Sequence, residues 1–105
     1  MSTVTTHILD TAQGRPAAAV PVVLERVGDG AWLGHGVTDG DGRLGKLGPD
    51  ELPAGLYRLT FDTASYLGED TFYPQVTITF MVAAGEHYHV PLLLSPYGYT
   101  TYRGS

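Results

Sequence analysis

The sequence predicts an all-β fold, a sandwich or a barrel of short strands with at most one short helix. Its 14 glycines and 7 prolines recur about every ten residues, the usual spacing of turns in such folds. The segments between them are rich in Val, Thr, Tyr, Leu and Phe, which favour strands. Eight strands are predicted, at residues 5–10, 20–27, 31–37, 43–47, 55–61, 74–82, 87–95 and 98–103.

Side chains alternate between two faces along the predicted strands at 55–61 and 74–82. In QVTITFMV every second residue from Val76 to Val82 is apolar, so one face packs in the core and the other is mostly wet. Between these strands, Asp62 or Thr63 can cap a helix of about two turns.

The strongest turn signal is TDGDGR, residues 38–43. Its two Asp-Gly pairs supply residues that tolerate positive φ, and the turn sets Arg43 at the start of the next strand. Residues 12–19, AQGRPAAA, are predicted to be a looser connection.

The segment HYHVPLLLS, residues 87–95, does not have one plainly wet face. When alternate residues from Tyr88 to Leu94 face the core, the opposite face carries His87, His89, Pro91, Leu93 and Ser95. Since only 16% of the residues are charged, we expect another subunit to cover this face. Pro91 cannot donate a ladder hydrogen bond, which predicts an edge strand or a bulge.

Composition predicts one domain over residues 1–105 and excludes two kinds of partner. Six Lys and Arg against eleven Asp and Glu give a net charge of -5, which repels nucleic acid and anionic membranes. The sequence has no cysteine, no leader-like start and no apolar stretch long enough to span a membrane. We therefore expect a cytoplasmic protein.

Histidines are the candidate chemical groups, since a covalent route through Cys or a GxSxG serine is not favoured. Alternation along residues 5–10 puts His7 on the face opposite Ile8, and His7 is either a general base or a half-exposed strand residue there. His87 and His89 have the spacing of two metal ligands on a strand, but the sequence ties no third ligand to them, so no metal is predicted. Arg43 is either an anion-binding group or a solvated turn residue.

Taken together, THILDTAQGRPA, TDGDGR and HYHVPLLLSPYGYTTYRGS resemble the transthyretin family. The terminal YRGS is similar to the family's 5-hydroxyisourate hydrolase branch rather than to its hormone carriers. The resemblance implies an eight-stranded, two-sheet sandwich that assembles into a homotetramer, a dimer of dimers, with a channel at the dimer–dimer interface. The chain departs from the family at DTASYLGED, where a longer helix is common.

The same resemblance implies hydrolysis of the small molecule 5-hydroxyisourate in urate degradation, without a cofactor. The catalytic residues that it implies are His7, Arg43, His89, Tyr102 and Ser105. The substrate-binding residues that it implies are His7, Arg43, Tyr102, Arg103 and Gly104. One alternative is a non-catalytic carrier that holds small ligands in the channel. Another is an interaction module whose C-terminal aromatic residues join an edge strand to a partner. Neither alternative requires the two histidines and Arg43 together.

Overall fold

The computed structural model describes residues 3–69, 71–83 and 85–104, and these form two packed sheets and one short helix. The elements are β1 (Thr3–Asp10), β2 (Arg15–Pro16), β3 (Pro21–Arg26), β4 (Trp32–Val37), β5 (Arg43–Leu44), β6 (Gly55–Phe61), α1 (Thr63–Leu67), β7 (Val76–Val82), β8 (His87–Ser95) and β9 (Gly98–Thr101). The two-sheet sandwich with a short helix is therefore confirmed.

The first sheet has the order β2-β1-β8-β9, with β5 also paired to β1, and the second has the order β4-β3-β6-β7. The pair of β1 and β8 is parallel, and all other pairs are antiparallel. A parallel pair needs a long crossover connection. Here the chain between β1 and β8 supplies it by forming the second sheet.

All eight predicted strands are present within the described part of the chain, although several ends differ. The strand predicted at 43–47 extends only over Arg43–Leu44, and that predicted at 98–103 ends at Thr101. A further strand, β2, lies inside the predicted connection at 12–19. Its two residues pair with Leu9 and Asp10, and so short a pairing leaves no alternation for the sequence to reveal.

The strands β1 and β8 send alternate side chains into the core, as predicted. Every second residue within 4–10 and within 88–94 is buried, and Pro91 on the outer face is buried as well. Residues 57–61 of the second sheet alternate in the same way. Each fully buried Leu, Ile, Val or Phe contributes about 1.5–3 kcal/mol of hydrophobic free energy. His7 and His89 consequently lie on the outer face of the first sheet, the face turned away from the second sheet.

Pro91 lies within a central strand, so the prediction of an edge strand is wrong. The β8–β9 register runs from Leu92 opposite Thr101 to a bridge between His89 and Gly104. Pro91 therefore lies opposite residue 102, where β9 has already ended. The missing N–H falls in this gap of the ladder, which is why a proline is tolerated in a central strand.

The short helix is fixed to β1 through a buried carboxylate. Asp62 caps the helix by accepting from the Ser65 backbone N–H at 3.1 Å. One turn later, the Tyr66 hydroxyl donates to Asp10 Oδ2 at 2.7 Å. Burial raises the pKa of Asp10, but hydrogen bonds from Tyr66 and from backbone N–H groups lower it more, to a net value below 3.8. The ionised Asp10 therefore holds the helix against the end of β1.

Candidate active site

The turn at residues 38–43 places Arg43 opposite His7. Asp39 Oδ1 accepts from the Arg43 backbone N–H at 2.9 Å. Gly42 has a φ of 75°, and a Cβ there would lie 2.3 Å from the Ile8 carbonyl oxygen, so only glycine fits. Arg43 is then the cross-strand partner of His7. Since cross-strand partners point to the same face, both side chains lie on the outer face of the first sheet.

The guanidinium of Arg43 is exposed and available to a ligand. Within the residues described, no acceptor hydrogen-bonds this side chain. Arg43 borders a pocket of about 270 Å³, whose other lining residues are Thr5, Thr6, Gly45, His87 and His89. A planar, permanently charged donor group at the wall of a pocket suits the binding of an electron-rich carbonyl or anion.

The ring of His7 is held by the same turn. Its Nε2 lies 2.9 Å from the Asp41 backbone carbonyl oxygen, and because a carbonyl oxygen only accepts, Nε2 carries the proton. In the neutral ring the lone pair is therefore on Nδ1. This arrangement makes His7 able to accept a proton at a defined atom.

His89 is half-buried and its ring is hydrogen-bonded to β1. Its Nδ1 lies 2.7 Å from the Thr5 hydroxyl oxygen. Burial lowers the pKa of His89 below the ordinary value of 6.5, and the nearby charges of His7, Arg43 and His87 lower it further. His89 is consequently neutral at neutral pH, the state required of a general base.

The C-terminal segment packs directly on His89. The Gly104 backbone N–H donates to the His89 carbonyl oxygen at 2.7 Å. A Cβ on Gly104 would lie 2.6 Å from His89 Cδ2 and 3.2 Å from Pro91 Cγ. The absence of a side chain at residue 104 therefore lets the end of the chain lie against the His89 ring.

Arg103 does not join the two histidines. Its guanidinium lies 4.5 Å from the centre of the Tyr88 ring and donates to Glu86 at 3.1 Å. Since Tyr88 faces the core side of β8, Arg103 is on the opposite side of the strand from His89. Its contacts anchor the C-terminal segment, and its predicted role in substrate binding stays a prediction.

Tyr102 is 56% exposed, and no hydrogen bond joins its hydroxyl to the described residues. Ser105, predicted to be catalytic, lies outside the described residues. The structure thus brings His7, Arg43 and His89 onto one face, adds Gly104 beside them, and leaves the roles of Tyr102 and Ser105 as predictions.

Sequence reasoning missed the threonines that contact the histidines. Thr3 and Thr5 share the outer face with His7, so the alternation of β1 could have indicated them. Their contacts depend on the parallel pairing of β1 with β8, which places Thr3 opposite His87 and Thr5 opposite His89. Alternation within one strand does not reveal its partner.

A larger cavity, of about 690 Å³, lies at the open end of the sandwich. Leu56, Met81, Tyr88 and Arg103 are among its lining residues. Among the described residues that line it, the charged side chains Glu86 and Arg103 are paired with each other, so neither is free to act as a base. We therefore place the candidate site on the outer face of the first sheet.

The described residues hold no cluster of metal ligands and no membrane-spanning helix. In the ranges 3–69, 71–83 and 85–104, no three His, Cys, Asp or Glu side chains converge as a metal site would need. Over the same ranges, no helix is long and apolar enough to cross a membrane.

The fold and the site define a two-sheet β-sandwich protein that carries two histidines and an arginine on the outer face of one sheet. The model of the HIUase/Transthyretin family matches residues 4–104, and the chain belongs to this family.

Individual relatives agree with this assignment. The 5-hydroxyisourate hydrolase of Salmonella dublin is 50% identical over 106 residues, covering 94% of this chain and 78% of the relative. The solved structure of Klebsiella pneumoniae 5-hydroxyisourate hydrolase has a TM-score of 0.90 at 40% identity, covering 100% of this chain and 94% of that chain. Sea bream transthyretin in complex with thyroxine has a TM-score of 0.86 at 34% identity, covering 97% of this chain and 94% of that chain. The resemblance seen in the sequence is confirmed.

Proposed function

We propose that this protein is a 5-hydroxyisourate hydrolase that opens the six-membered ring of its substrate to give 2-oxo-4-hydroxy-4-carboxy-5-ureidoimidazoline in urate degradation. The observation that carries the proposal is the placement of His7, Arg43 and His89 on one outer sheet face. The names of the hydrolases from Salmonella and Klebsiella support the substrate.

The chemistry requires a base, because water is a weak nucleophile toward an amide-type carbonyl. The water oxygen bonds to the carbonyl carbon, the C–N bond breaks, and the released nitrogen takes a proton. His89 is suited to accept the first proton, since its lowered pKa keeps it neutral. His7 can act in the same transfer through its Nδ1 lone pair.

Arg43 supplies the complementary positive charge. A carbonyl under attack develops negative charge on its oxygen, and a fixed cation or donor stabilises it. The guanidinium borders the same pocket as His89, and its planar fork can give two parallel hydrogen bonds to an oxygen-rich edge. Arg43 thus serves both binding and catalysis.

The C-terminal residues complete the site in this proposal. Gly104 lies against His89, and Tyr102, two residues earlier, is proposed to border the bound substrate and to donate to it from its hydroxyl. Arg103 holds the segment through Tyr88 and Glu86. Ser105 and the terminal carboxylate are proposed to finish the substrate-binding wall.

A homotetramer, a dimer of dimers, is the proposed assembly. β9 is an edge strand of the first sheet and β7 is an edge strand of the second. Residues of both strands border an apolar opening of about 270 Å³. Met81 on β7 is 72% exposed, which favours cover by another subunit. Light scattering tests the assembly, and a monomer would contradict a site at a subunit interface.

The cytoplasm is the proposed location. A cysteine-free chain needs no oxidising compartment. Fractionation of the native cells tests this, and recovery of the protein outside the cytoplasmic fraction would overturn it.

An ultraviolet progress curve tests the enzymatic proposal. Urate oxidase generates 5-hydroxyisourate in the cuvette, and the purified protein is expected to accelerate its decay in proportion to protein concentration. A carrier of small ligands, the alternative, would bind without accelerating the decay. An unchanged decay at high protein concentration would therefore reject the hydrolase.

A further inference from the structure

One hydroxyl group lies between two histidine rings at the edge of the candidate site. The Thr5 Oγ1 is 2.7 Å from His89 Nδ1 and 3.2 Å from His87 Nε2. On its far side, His87 Nδ1 is 2.5 Å from the Thr3 hydroxyl oxygen. These contacts form a continuous hydrogen-bonded chain from a half-buried ring to an exposed one.

The parallel register of β1 and β8 creates this chain. Thr3 is opposite His87 and Thr5 is opposite His89, so all four side chains share the outer face of the first sheet. β1 and β8 are paired with each other along these residues, which keeps the four side chains in a fixed order.

The single proton of the Thr5 hydroxyl restricts which ring nitrogens of His87 and His89 can be protonated. A hydroxyl has one proton to donate, so Thr5 can donate to only one of the two histidines. In the arrangement in which His89 Nδ1–H donates to Thr5, the hydroxyl is free to donate to His87 Nε2, and Nε2 of the neutral His89 ring keeps its lone pair. No described residue hydrogen-bonds that Nε2, which leaves it for water or substrate.

We propose that Thr5 is a positioning residue that fixes the ring and tautomer of His89, and that His87 is the solvent end of a proton path from His89 through Thr5. The proposal deepens the proposed function and rests on it. His89 accepts a proton at Nε2, its Nδ1 proton passes to the Thr5 oxygen, and the Thr5 proton passes to His87 Nε2. No co-reactant is needed.

The reaction requires a route by which a proton leaves the active site for solvent. Hydrolysis of an amide-type bond at neutral pH ends with a carboxylate, so one proton of the attacking water stays on the released nitrogen and the other reaches solvent. Arg43 on β5 brings a permanent positive charge close to His89. Passage of the proton through the exposed His87 and on to solvent restores the neutral ring of His89. Glu86, the residue next to His87, is paired with Arg103.

The first test replaces the hydroxyl. Thr5→Val keeps the β-branched shape and is expected to lower kcat about 10–100-fold, the cost found when a hydrogen bond that orients a metal-binding histidine is lost, while Thr5→Ser retains activity. Thr60→Val, at a half-buried strand position of the second sheet, is the matched control. Equal activity of Thr5→Val and wild type would overturn the role of Thr5.

A spectroscopic readout separates positioning from general stability. In ¹⁵N-histidine NMR spectra at neutral pH, wild-type His89 is expected to show a protonated Nδ1 and a bare Nε2. Thr5→Val is expected to show a mixture of tautomers. The proposal is contradicted if Thr5→Val shows the same His89 spectrum as the wild type. It is also contradicted if Nδ1 of His89 is unprotonated in the wild type.

The second test removes the exposed end of the path. His87→Ala is expected to lower kcat in dilute buffer with little change in KM, and added imidazole is expected to restore kcat because a diffusible base takes the proton. His35→Ala, which removes an exposed histidine of the other sheet, should have no effect. Wild-type turnover of His87→Ala in dilute buffer, or a loss that imidazole does not restore, would reject the path.

The experiments distinguish a failure of the proposed hydrolase function from a failure of the proton path alone. If the wild-type protein does not hydrolyse 5-hydroxyisourate, the proposed function fails, and the NMR spectra still decide whether Thr5 fixes the His89 tautomer. If the wild type is active and the Thr5 and His87 variants match it, only the proton path fails.

Discussion

The Nε2–H of His7 donates to the backbone carbonyl oxygen of Asp41 at 2.9 Å. The same turn makes Arg43 the cross-strand partner of His7, and the Asp39 carboxylate holds the turn by accepting from two of its backbone N–H groups. One local motif therefore fixes a base and a cation relative to each other. Their relative position does not depend on a distant loop.

Replacement of either histidine is expected to remove acid–base catalysis. His7→Ala and His89→Ala should each lower kcat by about 10²–10⁴-fold, the usual contribution of a positioned acid or base. Circular dichroism should show an intact fold, because both rings lie on the outer face. His35→Ala serves as the control. Wild-type turnover by the double variant would show that the site lies elsewhere.

The pH dependence of hydrolysis should report His89. Its pKa lies below 6.5, so the neutral, proton-accepting form persists as the pH falls through 6.5, and activity is expected to decline only below that value. A pH–rate profile of kcat/KM checks this. Arg43→Gln removes one positive neighbour and should move the acid limb to higher pH. An acid limb above pH 6.5 in the wild type would contradict the assignment.

The same pKa difference should appear in folding stability. Below pH 6.5 the unfolded chain binds a proton at His89 before the folded chain does, so the free energy of unfolding should fall with decreasing pH through this window. Urea denaturation at several pH values measures the slope. His89→Ala should flatten it, and an unchanged slope would argue against the burial effect.

A side chain at residue 104 should disturb His89. Gly104→Ala puts a Cβ 2.6 Å from His89 Cδ2, so either the ring or the chain end must move, and a displacement of about 1 Å can cost about 10²-fold in rate. Gly98→Ala is the matched control, since its Cβ meets Ser95 Oγ at an ordinary 3.7 Å. Wild-type turnover by Gly104→Ala would show that the C-terminal segment is not part of the active site.

Arg43→Lys should not be a conservative change. Lysine keeps the charge but loses the planar fork, and a charge-assisted hydrogen bond is worth about 1.5–3 kcal/mol, or about tenfold or more in kcat/KM. Arg26→Lys, at an exposed pair with Asp29, is the control. If steady-state kinetics give the same kcat/KM for the two variants, Arg43 is a solvated turn residue and not part of the site.

The contact between Tyr66 and Asp10 predicts a stability effect away from the chemistry. Tyr66→Phe removes the hydroxyl that donates to Asp10 Oδ2 at 2.7 Å and should lower the free energy of unfolding by about 1.5–3 kcal/mol, as expected for a hydrogen bond to a charged group. Tyr97→Phe, at a residue 76% exposed, should leave it unchanged. Equal denaturation midpoints for the two variants would refute the prediction.

Much of the fold was predictable because its signals are local. Alternation in β1, β7 and β8 decided which side chains face the core, and it put His7 and His89 on the outer face before any pairing was known. The turn signal at 38–43 correctly placed Arg43 at the start of β5. The central position of Pro91 was not predictable, since a missing N–H does not distinguish an edge from a gap in a ladder.

The sequence by itself determined the strands, their buried faces and the residue types available for acid–base chemistry. Only the tertiary structure decided which side chains meet: Thr5 contacts His89 across 84 residues of sequence, Gly104 lies on the His89 ring, and Arg103 lies on the other side of β8. The physical reason is that the face of a side chain follows from the two-residue period of its own strand. The partner strand and its register follow from the packing of the whole chain.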